Sequence, residues 1–172
     1  MALELAVERG EAYRVGSVAL FITAGVIAAA LGFEYILGYI PCPLCLMQRY
    51  AYYAAIPALF LALVLSSGGK SGWAAFLFLL VALAFLANAG LGVYQSGAEW
   101  KFWPGPAFCG TEQALTGQAG DLIKNLATTK VIRCDEASWR FLGLSFAGWN
   151  VLTSLAIFAL SLRAAFTANT RT

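Results

Sequence analysis

The run from Val15 to Gly32, VGSVALFITAGVIAAALG, holds no charged residue, and apolar character continues past Glu34 to Ile40. A helix needs about 20 residues to cross a bilayer core, so this stretch is long enough to span one. Three further runs are of the same kind: Tyr50 to Leu65, Trp73 to Tyr94 and Phe141 to Leu162. Residues are 60% hydrophobic and 12% charged, against about 25% charged in ordinary soluble domains. The membrane is the solvent that such a composition needs. Inside lipid the backbone must satisfy its own polar groups, which leaves helices or a closed barrel, and runs of this length select helices. The pattern predicts an all-α integral membrane protein. It forms one domain over residues 1–172, with spans at about 15–37, 47–66, 73–95 and 141–162. The turn from Ser66 to Gly72 is short, so the helices form an antiparallel four-transmembrane-helix bundle. Glu4, Glu8, Arg9, Glu11 and Arg14 make the first fourteen residues a polar, amphipathic lead-in rather than a cleavable signal, because the acids come early and the apolar run after them is too long.

Four spans put both termini on one side and the Cys42 loop and the 96–140 loop together on the other. Basic residues do not decide which side is which. Arg9, Arg14, Lys70, Arg163 and Arg171 fall on the side of the termini, and Arg49, Lys101, Lys124, Lys130, Arg133 and Arg140 on the other. Cysteine placement is the better guide. Cys42, Cys45, Cys109 and Cys134 all belong to the two loops of one face, and even-numbered, co-facial cysteines fit an oxidising compartment. The net charge of +2 includes no long basic run, so nucleic acid is not an expected partner. The absence of histidine removes the usual haem and copper ligands and the commonest general base.

The chemistry concentrates in Ile40-Pro41-Cys42-Pro43-Leu44-Cys45-Leu46-Met47-Gln48-Arg49. Pro41 and Pro43 break a helix arriving from Gly38 and suit the first turn of one leaving toward Tyr50. A helix N-terminus carries positive potential and shifts a cysteine there toward thiolate, the form that attacks disulfides. Arg49 follows Cys45 by one turn and would set a cation beside its sulfur. The opposing reading of Arg49 alone is a side chain snorkelling to lipid phosphate. Tyr50, Tyr52 and Tyr53 fit an aromatic belt at the membrane surface.

In the 96–140 loop, Glu99 to Pro106 is aromatic and Pro-broken and belongs at headgroup level. Between Thr111 and Leu126, Leu115, Ala119, Leu122, Ile123 and Leu126 recur at helical spacing behind a Thr111 cap. They predict a short surface helix, lying on the membrane or packed on the bundle ends. The cysteines themselves admit three readings: two redox-active pairs that exchange electrons, two structural staples, or a zinc site. The zinc reading lacks a second close Cys pair.

Cys42-Pro-Leu-Cys45-Leu-Met-Gln48-Arg49 at the head of the second span resembles the signature of the DsbB family, the bacterial membrane disulfide-bond formation proteins. Cys109 and Cys134 match that family's second disulfide. Cys134-Asp-Glu-Ala-Ser-Trp139-Arg-Phe-Leu-Gly-Leu resembles its approach to the fourth helix, and Glu-Trp-Lys-Phe-Trp-Pro-Gly-Pro at 99–106 a loop found in many members. Two departures stand out. Gln48 replaces a Glu that many members carry, and Gln95 sits near where some carry a histidine close to the quinone.

The resemblance implies a thiol–disulfide oxidase of the bacterial inner membrane with its active loops in the periplasm and both termini in the cytoplasm. A reduced periplasmic thioredoxin-like dithiol protein (DsbA-like) attacks Cys109–Cys134, with Cys109 forming the mixed disulfide. Cys134 then pairs transiently with Cys42, and the released Cys45 donates to ubiquinone or menaquinone beside Arg49. Gln48 or Gln95 would be further donors to the quinone. A relative of vitamin-K epoxide reductase shares the four helices and the quinone, but carries its Cys-x-x-Cys at the start of the last helix of its bundle. A disulfide-stapled scaffold would be indifferent to quinone. A transporter would need charge or broken helices at mid-depth. The co-facial cysteines predict that a membrane-impermeant maleimide labels Cys109 in reduced intact cells or spheroplasts. Labelling only after lysis would put the active face in the cytoplasm.

Overall fold

The computed structural model describes residues 2–106 and 134–169. Within them lie α1 (Ala2–Tyr35), α2 (Pro43–Ser67), α3 (Ser71–Glu99), a hairpin of β1 (Arg140–Phe141) and β2 (Leu144–Ser145), and α4 (Phe146–Asn169). Among the described residues four helices are long and apolar enough to cross a membrane. They form a ring in which α1 packs on α2, α2 on α3, α3 on α4, and α4 closes on α1. Phe78, Phe85, Leu59 and Ile157 fill its axis and are fully buried. Large apolar side chains also point outward, Phe21 at 76% exposure and Phe166 at 64% among them. Such helices are apolar on every face, which suits lipid outside and protein inside.

Lipid tails are as apolar as leucine, so association of these helices depends on close packing and interhelical polar bonds. Both are present. Gly92 lets α3 approach α4 so closely that a Cβ there would sit 2.7 Å from the Val151 side chain. At mid-bundle the Tyr52 hydroxyl of α2 donates to Asn150 Oδ1 of α4 at 2.7 Å, and Asn88 Nδ2 of α3 donates to Ser154 Oγ at 3.0 Å. Tyr52 is therefore an interior residue and not part of the surface belt, whereas Tyr50 and Tyr53 are exposed.

Helix bounds differ from the apolar runs in ways with local causes. The charged lead-in continues α1 as helix from Ala2, and Glu11 pairs with Arg163 of α4 at the end of the bundle where both termini lie. Helix α3 runs on through Glu99, because the chain breaks only beyond it. There Lys101 takes φ +62° and the Trp103 ring folds back on the helix. Residues 140–145, by hydropathy the head of the fourth span, form the hairpin instead. Its two central residues, Leu142 and Gly143, both have positive φ, as tight two-residue turns require. Cys109 and the surface helix expected between Thr111 and Leu126 lie outside the described residues.

The 100–103 turn is held in three ways. Trp103 Nε1 donates to the Tyr94 carbonyl at 2.9 Å, its ring stacks on Tyr94, and Lys101 Nζ reaches Asp135 at 2.8 Å. The ring lies so close to Gly97 that an added Cβ would stand 2.0 Å from it. Gly97→Ala should displace Trp103 and destabilise the protein by about 1–3 kcal/mol, the range for overpacking. Thermal unfolding in detergent with tryptophan fluorescence measures this, and Trp103→Ala in the same chain should relieve the clash.

Candidate active site

Helix α2 starts where the prolines predict, at Pro43, with Cys42 as its N-cap in extended conformation. The Cys42 sulfur accepts the Cys45 backbone N–H at 3.2 Å, the bond an N-cap side chain makes to the third helical residue. Both thiols are free. Cys42 is buried and Cys45 partly so. The expected shift toward thiolate does not fall on Cys42. Its pKa is pushed above the ordinary thiol range, first by the hydrogen bond it shares with the Cys45 thiol and then by burial.

Across from the pair stands Gln95 of α3, buried and bonded on every side. Its Oε1 accepts from Gln48 Nε2 at 2.9 Å. Its Nε2 faces Cys45 Sγ at 3.3 Å, Cys42 Sγ at 3.4 Å and Glu99 Oε1 at 3.3 Å. The Gln48 bond turns the amide so that its nitrogen points at sulfur. Cys134 is fully buried, disulfide-bonded, and packed in one cluster with Cys42, Leu44 and Cys45. The fold therefore brings Cys42, Cys45, Gln48, Gln95 and Cys134 together. A disulfide sulfur at Cys134 also leaves the four-thiolate zinc arrangement short of a ligand.

Arg49 goes elsewhere than its spacing suggested. Its guanidinium pairs with Glu34 of α1 and reaches the Ala30 carbonyl at 3.4 Å, and among the described residues no hydrogen bond joins it to Cys45. A carboxylate on the neighbouring helix, nearly enclosed with it, outcompetes a soft sulfur for a charged donor. Glu34 accordingly faces the interior.

All of these side chains except Gln48's neighbour Leu44 and the packed Cys134 line one cavity of about 390 Å³. Its polar rim carries Cys45, Arg49, Gln95 and Glu99, and its walls are apolar. Phe33, Trp139 and Phe146 form one wall, with Trp139 stacked on Phe146 at 4.8 Å. The volume and lining suit a flat, largely apolar ring with a polar edge. Sequence reasoning missed Glu34 and Glu99. In the helix Gln95 and Glu99 are one turn apart and share a face, but the sequence reading ends the third span at about residue 95 and puts Glu99 in the loop that follows. For Glu34 no local signal existed, because its partner comes from another helix.

Gln95 supplies N–H groups to both sulfurs, and a hydrogen bond to a charged group contributes about 1.5–3 kcal/mol. Gln95→Leu keeps the volume and removes the donor. It should slow alkylation of Cys45 at neutral pH by about tenfold or more, one decade for each 1.4 kcal/mol. Maleimide labelling of the reduced protein followed by mass spectrometry measures the rate.

A family model described as "Disulfide bond formation protein DsbB" matches residues 13–164. Similar proteins include disulfide bond formation protein B of Aromatoleum aromaticum, 32% identical over 81% of this chain and 84% of its own length. The protein of that name in Acidovorax sp. is 32% identical over 84% and 82% of the two chains, and that of Hahella chejuensis 30% identical over 81% and 87%. No solved structure matches. The chain therefore belongs to the DsbB family of membrane disulfide bond formation proteins.

Proposed function

We propose that this protein reoxidises a periplasmic thioredoxin-like dithiol protein and passes the electrons through its two cysteine pairs to a membrane quinone. The observation that carries the reading is the packing of disulfide-bonded Cys134 against the free Cys42 and Cys45 at the edge of an apolar cavity. Thiol–disulfide exchange needs a sulfur of one pair within reach of a sulfur of the other. Cys109 is the cysteine that meets the soluble partner. Cys134 and Cys42 link the pairs, and Cys45 faces the cavity. The protein sits in the inner membrane with the cysteine-bearing loops toward the periplasm.

The residues present fit a quinone. The cavity has room for a flat apolar ring, and its lining includes side chains with N–H donors that could bond ring oxygens. Arg49, Gln95 and Gln48 are the residues that would hold it, and when bound a quinone supplies a two-electron, two-proton acceptor. The guanidinium carries five N–H donors. Glu34 and Ala30 do not use them all, so Arg49 keeps donors for a ring oxygen while Glu34 fixes its position. A cation there stabilises negative charge as it develops on oxygen.

Mixing the purified reduced protein with a short-chain ubiquinone should consume free thiols and produce quinol in equal amounts. Thiols that persist beside unreduced quinone would refute the reading. Arg49→Lys replaces a planar fork by a point charge, which cannot serve Glu34 and a ring oxygen at fixed angles. It should weaken apparent quinone affinity by about tenfold, equivalent to about 1.4 kcal/mol. Unchanged kinetics would return Arg49 to a purely structural pairing with Glu34.

A further inference from the structure

Glu99 is a carboxylic residue at the membrane boundary that the relay described above does not use. It is only 7% exposed and lines the same cavity as Cys45. One of its oxygens, Oε1, accepts from Gln95 Nε2 at 3.3 Å. The other, Oε2, is buried and no described group meets hydrogen-bond geometry with it, although the Ser145 side chain lies near enough to act on the carboxyl. A buried polar atom without a partner is costly and calls for an explanation. A carboxylate oxygen held in that state, one amide away from two thiols, is a vacant place for a proton.

The amide between them makes the link specific. Gln95 Nε2 has two hydrogens and three acceptors: Cys42 Sγ, Cys45 Sγ and Glu99 Oε1. Negative charge on sulfur draws both hydrogens to the cysteines, and negative charge on Glu99 draws one away. Cys45 and Glu99 are also close enough to act on each other electrostatically. Two like charges in one dry site disfavour each other strongly, so the site favours a single negative charge shared between sulfur and carboxyl. The other groups around Glu99 do not replace it. Ser145 and the exposed Arg140 face it from the hairpin, Glu136 lines the outer part of the cavity, and Arg49 is engaged by Glu34.

We propose that Glu99 is the internal acceptor of the proton that leaves Cys45 when its thiolate forms. The S–H bond of Cys45 breaks, an O–H bond forms at Glu99, no electrons leave the site, and its total charge is unchanged. Negative charge thus appears on the sulfur facing the cavity without an ion being added to a low-dielectric site. The inference rests on the thiol–quinone reading, in which Cys45 must act as thiolate. It assigns to a carboxyl of α3 the proton handling for which this chain has no histidine.

The test is a thiol titration without quinone. In the full chain carrying Cys42→Ser, with the disulfide of Cys134 intact, Cys45 is the one thiol to follow, and the serine oxygen keeps the helix cap. The rate of N-ethylmaleimide alkylation against pH reports its thiolate fraction. Sharing one proton between Cys45 and Glu99 gives two coupled steps separated by a plateau. Glu99→Gln should collapse the profile to a single step, and Glu99→Asp should keep both. A single step in the parent, coincident with that of Glu99→Gln, overturns the proposal. Failure of the thiol–quinone reading would show separately, as wild-type protein that leaves quinone unreduced.

Discussion

The site is organised around the first turn of α2. A helix leaves its first backbone N–H groups without intrahelical partners, and at a membrane boundary water cannot be relied on to satisfy them. Pro43 removes one such donor and the Cys42 sulfur accepts another, from Cys45. The cap that lets the helix begin thereby holds the two thiols next to each other. Moving the helix start by one residue would separate the sulfurs and unmake the cap together. The thiol pair and the helix boundary are one structural feature.

Around that turn the polar groups are sorted by depth. The charged side chains lining the cavity, Glu34, Arg49, Glu99 and Glu136, lie toward the end of the bundle that carries the cysteines, and Arg49 is neutralised by Glu34. Deeper, the polar contacts are between neutral groups: Tyr52, Asn88, Asn150, Thr153 and Ser154. Interhelical hydrogen bonds in membrane proteins average about 0.6 kcal/mol. This network is thus too weak to hold the bundle by itself, and its effect is to choose which faces meet. Stability comes from close packing, which is why Gly16 sits against the Phe78 ring and Gly92 against Val151 of α4.

The chain belongs to the DsbB family and carries four cysteines. The particular chemistry of this chain lies in what surrounds them. Gln48 and Gln95 bond to each other, and that bond fixes the direction of the amide facing both sulfurs. An amide donates without titrating, so it can stabilise a thiolate but cannot take its proton. The nearest carboxyl along α3 is Glu99, one helical turn on.

The four spans and the start of α2 at the Cys-Pro boundary were legible in the sequence, because they follow from hydropathy and proline stereochemistry. Gln48 and Gln95 were legible only as neighbours of the motif and through family resemblance, and their mutual bond was not. Glu99 was hidden by its setting among Trp100, Phe102 and Trp103, which reads as an interfacial loop. The helix continues through it because the fold-back of Trp103 onto Gly97 delays the break. Arg49 shows the limit most clearly. Helical spacing placed it on the Cys45 side of α2, yet a long side chain goes to the strongest partner within reach. That partner, Glu34, is fifteen residues away on another helix. Local periodicity specifies which face a residue occupies. Which opposite charge it meets there is decided only when α1 and α2 pack, since burial makes an unpaired charge too costly to leave where the sequence alone would put it.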